Sequence, residues 1–469
     1  MSSSTVTDTR VSTSSTNEST SSTNGATGST NGTLLRMATA GSVDDGKSTL
    51  VGRLLHDSKS VLTDQLAAVE RVSKEKGLGI VDLALLTDGL RAEREQGITI
   101  DVAYRYFATA KRTFVLADCP GHVQYTRNTV TGSSTADVLV LLVDVRKGVL
   151  EQTRRHLAVA ALLRVPHLVF AVNKIDLVDF DADRFATVAA EIAEVAAGLG
   201  ISDVRCVPVS ALLGDNIVDR SERTPWYDGP SLLELLEELP SGTPVEDEPF
   251  RFPVQLTIRP QAAARDPKHV EYRGYAGQIA SGVVRVGDQV SVLPLGRTTT
   301  VVGIDAAGTE LDEAFAPMSV TLRLADEVDI TRGELIASAS DAPTPTQDVD
   351  GLVCWLSDRA LRPGSKVLLK HTTRTVQGIV KEIKGRLDLD TLTPVEAEAL
   401  TLNDIGRVSI RLASPIVAED YSESRRTGAF LLVDPQMGST LAAGMVRSRP
   451  GTDPLSADEY EAATLNWSI

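Results

Sequence analysis

Three cysteines in 469 residues, Cys119, Cys206 and Cys354, stand far apart, with no CxxC pair and no histidine at ligand spacing. This scarcity argues against both a disulfide framework and a zinc site. Long hydrophobic runs are also missing. Apolar stretches such as Val138–Val143 and Leu168–Val172 stop well short of 18 residues, which excludes a transmembrane helix. The N-terminus lacks the basic-then-apolar layout of a secretory signal, so the expected compartment is the cytoplasm and no membrane partner is expected. Positive charge is in deficit: 47 Lys and Arg against 63 Asp and Glu give a formal net charge of −16. That balance disfavours a protein that coats nucleic acid by charge, and no nucleic-acid partner is expected. The length predicts about three domains.

The chain divides by texture. In residues 1–33, 20 positions are Ser or Thr. Such a segment has no apolar surface to offset the entropy of ordering and reads as a disordered tail, with a phosphorylation-regulated tail as the functional alternative. Residues 34–243 alternate short apolar runs with stretches of helical spacing, such as Phe185–Leu199. This is the pattern of βαβ units around a mostly parallel sheet, an α/β domain. Ser231 is a predicted N-cap for a last helix, Leu232–Leu239. From residue 248 the texture changes to short alternating segments broken by turns, which predicts two antiparallel β-barrels, 248–342 and 350–444. Asp341–Asp350 reads as the linker between them. Residues 445–469 form a C-terminal tail without a strong pattern.

The first strand, Leu34–Ala40, runs into Gly41-Ser42-Val43-Asp44-Asp45-Gly46-Lys47-Ser48, a G-x-x-x-x-G-K-[ST] turn followed by a predicted helix. Its glycines let backbone N–H groups surround a phosphate. Lys47 reaches the β- and γ-phosphates, and Ser48 offers a hydroxyl to Mg²⁺. Asp118-Cys119-Pro120-Gly121-His122 follows the strand Phe114–Ala117. Asp118 is placed to hold the Mg²⁺ shell, and Gly121 to give its N–H to the γ-phosphate.

Asn173-Lys174-Ile175-Asp176 follows another strand, and the Asp176 carboxylate can accept two hydrogen bonds that guanine offers and adenine does not. Ser210-Ala211-Leu212 stands where a backbone N–H meets the guanine O6. Four stations in this order, each at a strand end, identify the nucleotide as GTP. Between the first two lies Thr99, a candidate second Mg²⁺ ligand when a mobile loop closes, or otherwise the opening of the strand Ile100–Tyr106. His122 is the candidate for aligning the attacking water, against the plainer reading of a surface histidine in a switch loop.

A GTPase domain with the D-x-P-G-H form of the second switch, followed by two barrels, resembles the translation elongation factor superfamily. The segments Glu95–Phe107, Gln124–Asn128, Arg146–Val149 and Gln152–His156 resemble one branch, the family of bacterial sulfate adenylyltransferase large subunits. The likeness covers about residues 34–444. It implies that GTP hydrolysis drives the synthesis of adenosine 5′-phosphosulfate and pyrophosphate from ATP and sulfate. It also implies a partner, the small subunit of the ATP-pyrophosphatase type, which carries the adenylyl transfer. No second G-x-x-x-x-G-K-[ST] is present, so the adenylylsulfate kinase fused to some homologues is expected to be absent. Cys119 stands where that branch commonly has Thr, and Val123 where it has Glu. The rival is a tRNA-carrying translation factor, yet residues 248–444 hold 21 Lys and Arg against 26 Asp and Glu, a poor surface for phosphate backbones. A regulatory GTP-binding scaffold is the alternative from another class.

Overall fold

Six strands build the first sheet: β1 (Thr33–Gly41), β2 (Ala103–Ala108), β3 (Arg112–Asp118), β4 (Val138–Asp144), β5 (His167–Asn173) and β6 (Val204–Pro208). Their order is β2-β3-β1-β4-β5-β6. Every pairing is parallel except that of β2 with β3. The structure is a computed structural model that describes residues 33–58, 69, 71, 73, 83, 102–122, 125–240, 248–263, 267 and 270–447. Burial along the whole of β4 explains its apolar run Val138–Val143, since helices cover both faces of a parallel sheet.

Five helices among the described residues matter for the site: α1 (Lys47–Asp57), α2 (Thr126–Ser133), α3 (Glu151–Leu162), α4 (Ala182–Gly198) and α5 (Leu232–Glu238). Helix α4 starts where Asp181 accepts from the N–H groups of Asp183 and Arg184. Helix α5 starts at the predicted Ser231, which forms a capping box with Glu234. Helices α1 and α5 pack on one face of the sheet, whereas Leu157 of α3 and Ile192 of α4 join the core of the other.

Two closed antiparallel barrels follow. In the first, the strands Gln289–Leu293, Leu335–Ser338, Arg251–Ile258, Gly274–Gln278, Ser319–Leu324 and Arg297–Ala306 pair in that order, and the last returns to the first. The second closes in the same way through Lys366–His371, Ala429–Val433, Thr440–Val446, Thr346–Trp355, Ile405–Ile416 and Arg374–Leu387. The first barrel has its own core around Phe252, Tyr275 and Ile336. The second has a core too, but Leu352, Cys354, Leu356 and Met445 also merge into the cluster that holds α3 and α4. The two barrels meet at Arg251, nearly fully buried, which pairs with Glu419 at 2.8 Å and Asp341 at 3.2 Å.

The structure departs from the sequence reading at several edges. The segment read as a linker is strand from Thr346 onward, because Thr346 pairs with Ile416 and Asp350 with Ser409. The strand Thr440–Val446 runs past the barrel boundary expected at residue 444. The strand placed at Ile100–Tyr106 is β2, Ala103–Ala108, while residues 100 and 101 lie outside the described residues. So does the Ser/Thr-rich tail, apart from Thr33, which opens β1, and so does the C-terminal tail beyond Arg447. No helix among the described residues is long and apolar enough to cross a membrane.

Candidate nucleotide-binding site

The turn after β1 is shaped by two left-handed residues, Asp44 (φ 67°) and Gly46 (φ 93°). The Ser42 N–H donates to Asp45 Oδ2 at 2.9 Å and closes the loop on itself. Gly46 is needed twice over: its φ suits glycine, and a Cβ there would sit 2.4 Å from Asn173 Nδ2. Helix α1 begins at Lys47 with no side-chain cap and no acidic residue in its first turn. The positive end of its dipole therefore faces the loop, an arrangement suited to an anion. Ser48, half-buried, opens the same turn.

Lys47 Nζ lies 2.5 Å from Asp118 Oδ1, which also accepts from Thr39 Oγ1 at 3.1 Å. Both members of this ion pair are buried. Two buried atoms in the loop, Ser42 Oγ and Asp45 Oδ1, have no hydrogen-bond partner among the described residues. Burial pushes the Asp45 carboxyl up to about 6, against the Ser42 N–H and the more distant Lys147 charge. A carboxylate that tends to neutrality is the least harmful kind to place beside phosphates.

In the Asp118–His122 turn, the Cys119 N–H donates to Thr39 O at 3.1 Å, tying the turn to β1. Cys119 and Pro120 are buried. Gly121 passes so near the phosphate loop that a Cβ would be 2.7 Å from Gly41 O. Behind it, a Cβ on Gly132 of α2 would be 2.4 Å from Cys119 Sγ, so the thiol and the helix backbone are in direct contact. Burial raises the Cys119 thiol to about 12, with the Asp118 charge as a second cause, so it is inert. His122 is half-buried and meets the Tyr125 ring edge-on at 6.2 Å between centroids. Thr99 lies outside the described residues.

At the end of β5, Asn173 acts as a clamp. Its Nδ2 donates to Asp45 O at 2.7 Å, and its Oδ1 accepts from the Ala211 N–H at 2.9 Å. One side chain thus joins the phosphate loop to the Ser210–Leu212 loop. Lys174 (φ 64°) donates to Asp44 O and to Asp144 Oδ2. Buried Ile175 anchors the turn in which Asp176 stays half-buried and within the field of Arg146. Ser210 is buried and its Oγ accepts from the Leu213 N–H, while Leu212 is exposed and Val43 stands exposed on the phosphate loop.

Three contributors were not read from the sequence. Arg53 of α1 donates to Ala211 O at 3.3 Å and Leu212 O at 2.5 Å, fixing the Ser210–Leu212 loop. Asp144 receives Arg146 and Lys174; burial pushes its carboxyl up, but those hydrogen bonds outweigh burial and hold it well below the ordinary carboxylate range. Asp45 is legible in the sequence as part of the loop, but its buried carboxyl is not. Position at a strand end was a usable signal for Asp144. Nothing in the local sequence marks Arg53.

Residues 33–243 match the family model of the elongation factor Tu GTP-binding domain, and residues 348–447 match the GTP-eEF1A C-terminal domain-like family. The bifunctional enzyme CysN/CysC of Mycobacterium tuberculosis (strain CDC 1551 / Oshkosh) is 54% identical over 416 residues, 88% of this chain and 67% of that protein. Sulfate adenylyltransferase subunit 1 of Cellvibrio japonicus is 48% identical over 433 residues, 91% of this chain and 90% of the relative. The same subunit of Bacteroides fragilis is 46% identical over 435 residues, with 92% and 90% covered. On that evidence the chain belongs to the sulfate adenylyltransferase subunit 1 family, built on a GTP-binding domain of the elongation factor Tu type.

Proposed function

We propose that this chain hydrolyses GTP to drive synthesis of adenosine 5′-phosphosulfate and pyrophosphate from ATP and sulfate, with adenylyl transfer carried out by a separate small subunit. The observation that carries the GTP half is the clamp: Asn173 holds the phosphate loop and the base-side loop at fixed spacing, with Asp176 next to it to select guanine. Support for the sulfate half comes from the relatives at 46–48% identity that bear the name of the subunit.

The residues fit the groups they are proposed to hold. The uncapped start of α1 and the orphaned Ser42 Oγ suit a triphosphate. Ser48 and Asp118 supply hard oxygen donors of the kind Mg²⁺ prefers, with Thr99 as a third. Bound Mg²⁺ would neutralise charge on the β- and γ-oxygens. Lys47 would turn from Asp118 to the phosphates, Gly121 would offer its N–H, and His122 would align the attacking water. The order of the switch loops then reports the nucleotide state, and a partner that prefers one state receives the free energy.

A GTPase assay with and without the small subunit, ATP and sulfate tests this. Stimulation that needs all three supports the reading. Stimulation by ribosomes supports the tRNA-carrying rival, and indifference to both leaves a scaffold. His122→Ala should collapse turnover by about a hundredfold or more while GTP binding survives.

A further inference from the structure

The seam between α2 and the C-terminal barrel is incompletely filled. A cleft of about 460 Å³ opens there, with Val130, Leu356 and Phe430 in its apolar wall and four cations around it: Arg127, Lys370, Arg425 and Arg426. Among the described residues no Asp or Glu lines it. For a chain with a net charge of −16, that is a strong local reversal of sign.

Three of the cations are fixed in place by neutral groups, although Arg426 also lies within the field of Glu248. Arg127 donates to Leu356 O at 2.8 Å and Thr440 O at 3.3 Å, Arg425 to Ser134 O at 3.1 Å, and Arg426 to Ile279 O at 3.3 Å. Those acceptors are neutral carbonyls. Among the described residues, none of the four cations is ion-paired with a carboxylate. A guanidinium has five N–H donors, so one or two carbonyl bonds leave others free for a ligand.

The geometry points to a binding site for a polyanion that carries a flat apolar ring, the chemistry of a nucleoside polyphosphate, with the ring on the apolar wall and the phosphates among the cations. The volume lies in the range of small-molecule sites, which favour domain seams. Arginine forks pair bidentately with phosphate oxygens. The cleft is separate from the GTP site, and the inference stands independently of the small-subunit reading. Because α2 begins four residues after His122, a ligand bridging α2 to the barrel is coupled to the nucleotide switch.

Calorimetric titration of the full chain, saturated with GDP so that the phosphate loop is filled, tests the site with ADP and separately with inorganic pyrophosphate. ADP should bind one site with a Kd tighter than about 1 mM. Pyrophosphate, which lacks the ring, should bind at least about tenfold more weakly. Lys370→Glu should weaken ADP by about tenfold or more, as loss of a charge-assisted contact implies. Thr131→Trp, on the exposed face of α2, should block the cleft by bulk alone. GDP affinity in each variant reports folding. Absence of saturable ADP binding overturns the inference. So does pyrophosphate binding as tightly as ADP, or ADP binding indifferent to both substitutions.

Discussion

The two ends of the first domain are held by opposite means. At the nucleotide end, the loops are joined by buried polar bonds, from Asn173 to Asp45 O and the Ala211 N–H and from Lys47 to Asp118. At the barrel end, one continuous apolar core runs from Leu157 and Ile192 to Leu356, Cys354 and Met445. Among the described residues the polar end retains orphaned atoms and an uncapped helix, which suits it to a ligand. At the apolar end the core contacts of Leu157 and Ile192 are already made, and only the cleft beside α2 stays open. Substitutions at the first should therefore read out in ligand affinity, and at the second in stability.

The largest effect is expected from Gly46→Ala. The new Cβ forces Asn173 out of its clamp and strains the φ of 93°. GTP affinity should fall at least about a thousandfold, about 4 kcal/mol, by equilibrium binding. Leu356→Ala opens a void in the shared core and should cost about 3 kcal/mol in denaturant unfolding, with GTP affinity nearly unchanged. A large loss of affinity there would break the contrast.

Asp45 gives a pH signature confined to the polar end. In the ligand-free folded protein its carboxyl keeps its proton up to about 6, while the unfolded chain releases it near 3.8. The folded state then binds more protons between those values, so stability falls as pH rises through that window, by about 2–3 kcal/mol. Asp45→Asn should flatten that slope in melting curves taken from pH 4 to 7. Smallest is Tyr421→Phe, which leaves Leu163 O without the hydroxyl now 3.0 Å away and should cost about 1 kcal/mol.

The same contrast explains what the sequence disclosed. A turn suited to phosphate demands a particular backbone, so the patterns of Gly41–Ser48 and Asp118–His122 are local signals that survive without context. Continuous burial likewise made β4 and β5 readable as parallel strands. The clamp was hidden because Asn173 faces two protein loops 128 and 38 residues away, a relation that spacing does not reveal. Thr346–Asp350 passed for a linker because its polar residues are mostly half-exposed at a barrel rim, where burial does not select apolar side chains. Thr440–Val446, rich in Ala and Gly, has β-branched residues that mark strands only at its two ends, yet is buried at six of its seven positions.

Sharing one core between the first domain and the last barrel has a practical consequence for dissecting the protein. A fragment cut after residue 243 would keep every nucleotide station but expose the α3 side that Leu356 and Met445 now shield. It should express poorly and clump through that bare patch. Removing the middle barrel and rejoining its neighbours would leave that patch shielded and make the better-behaved miniature.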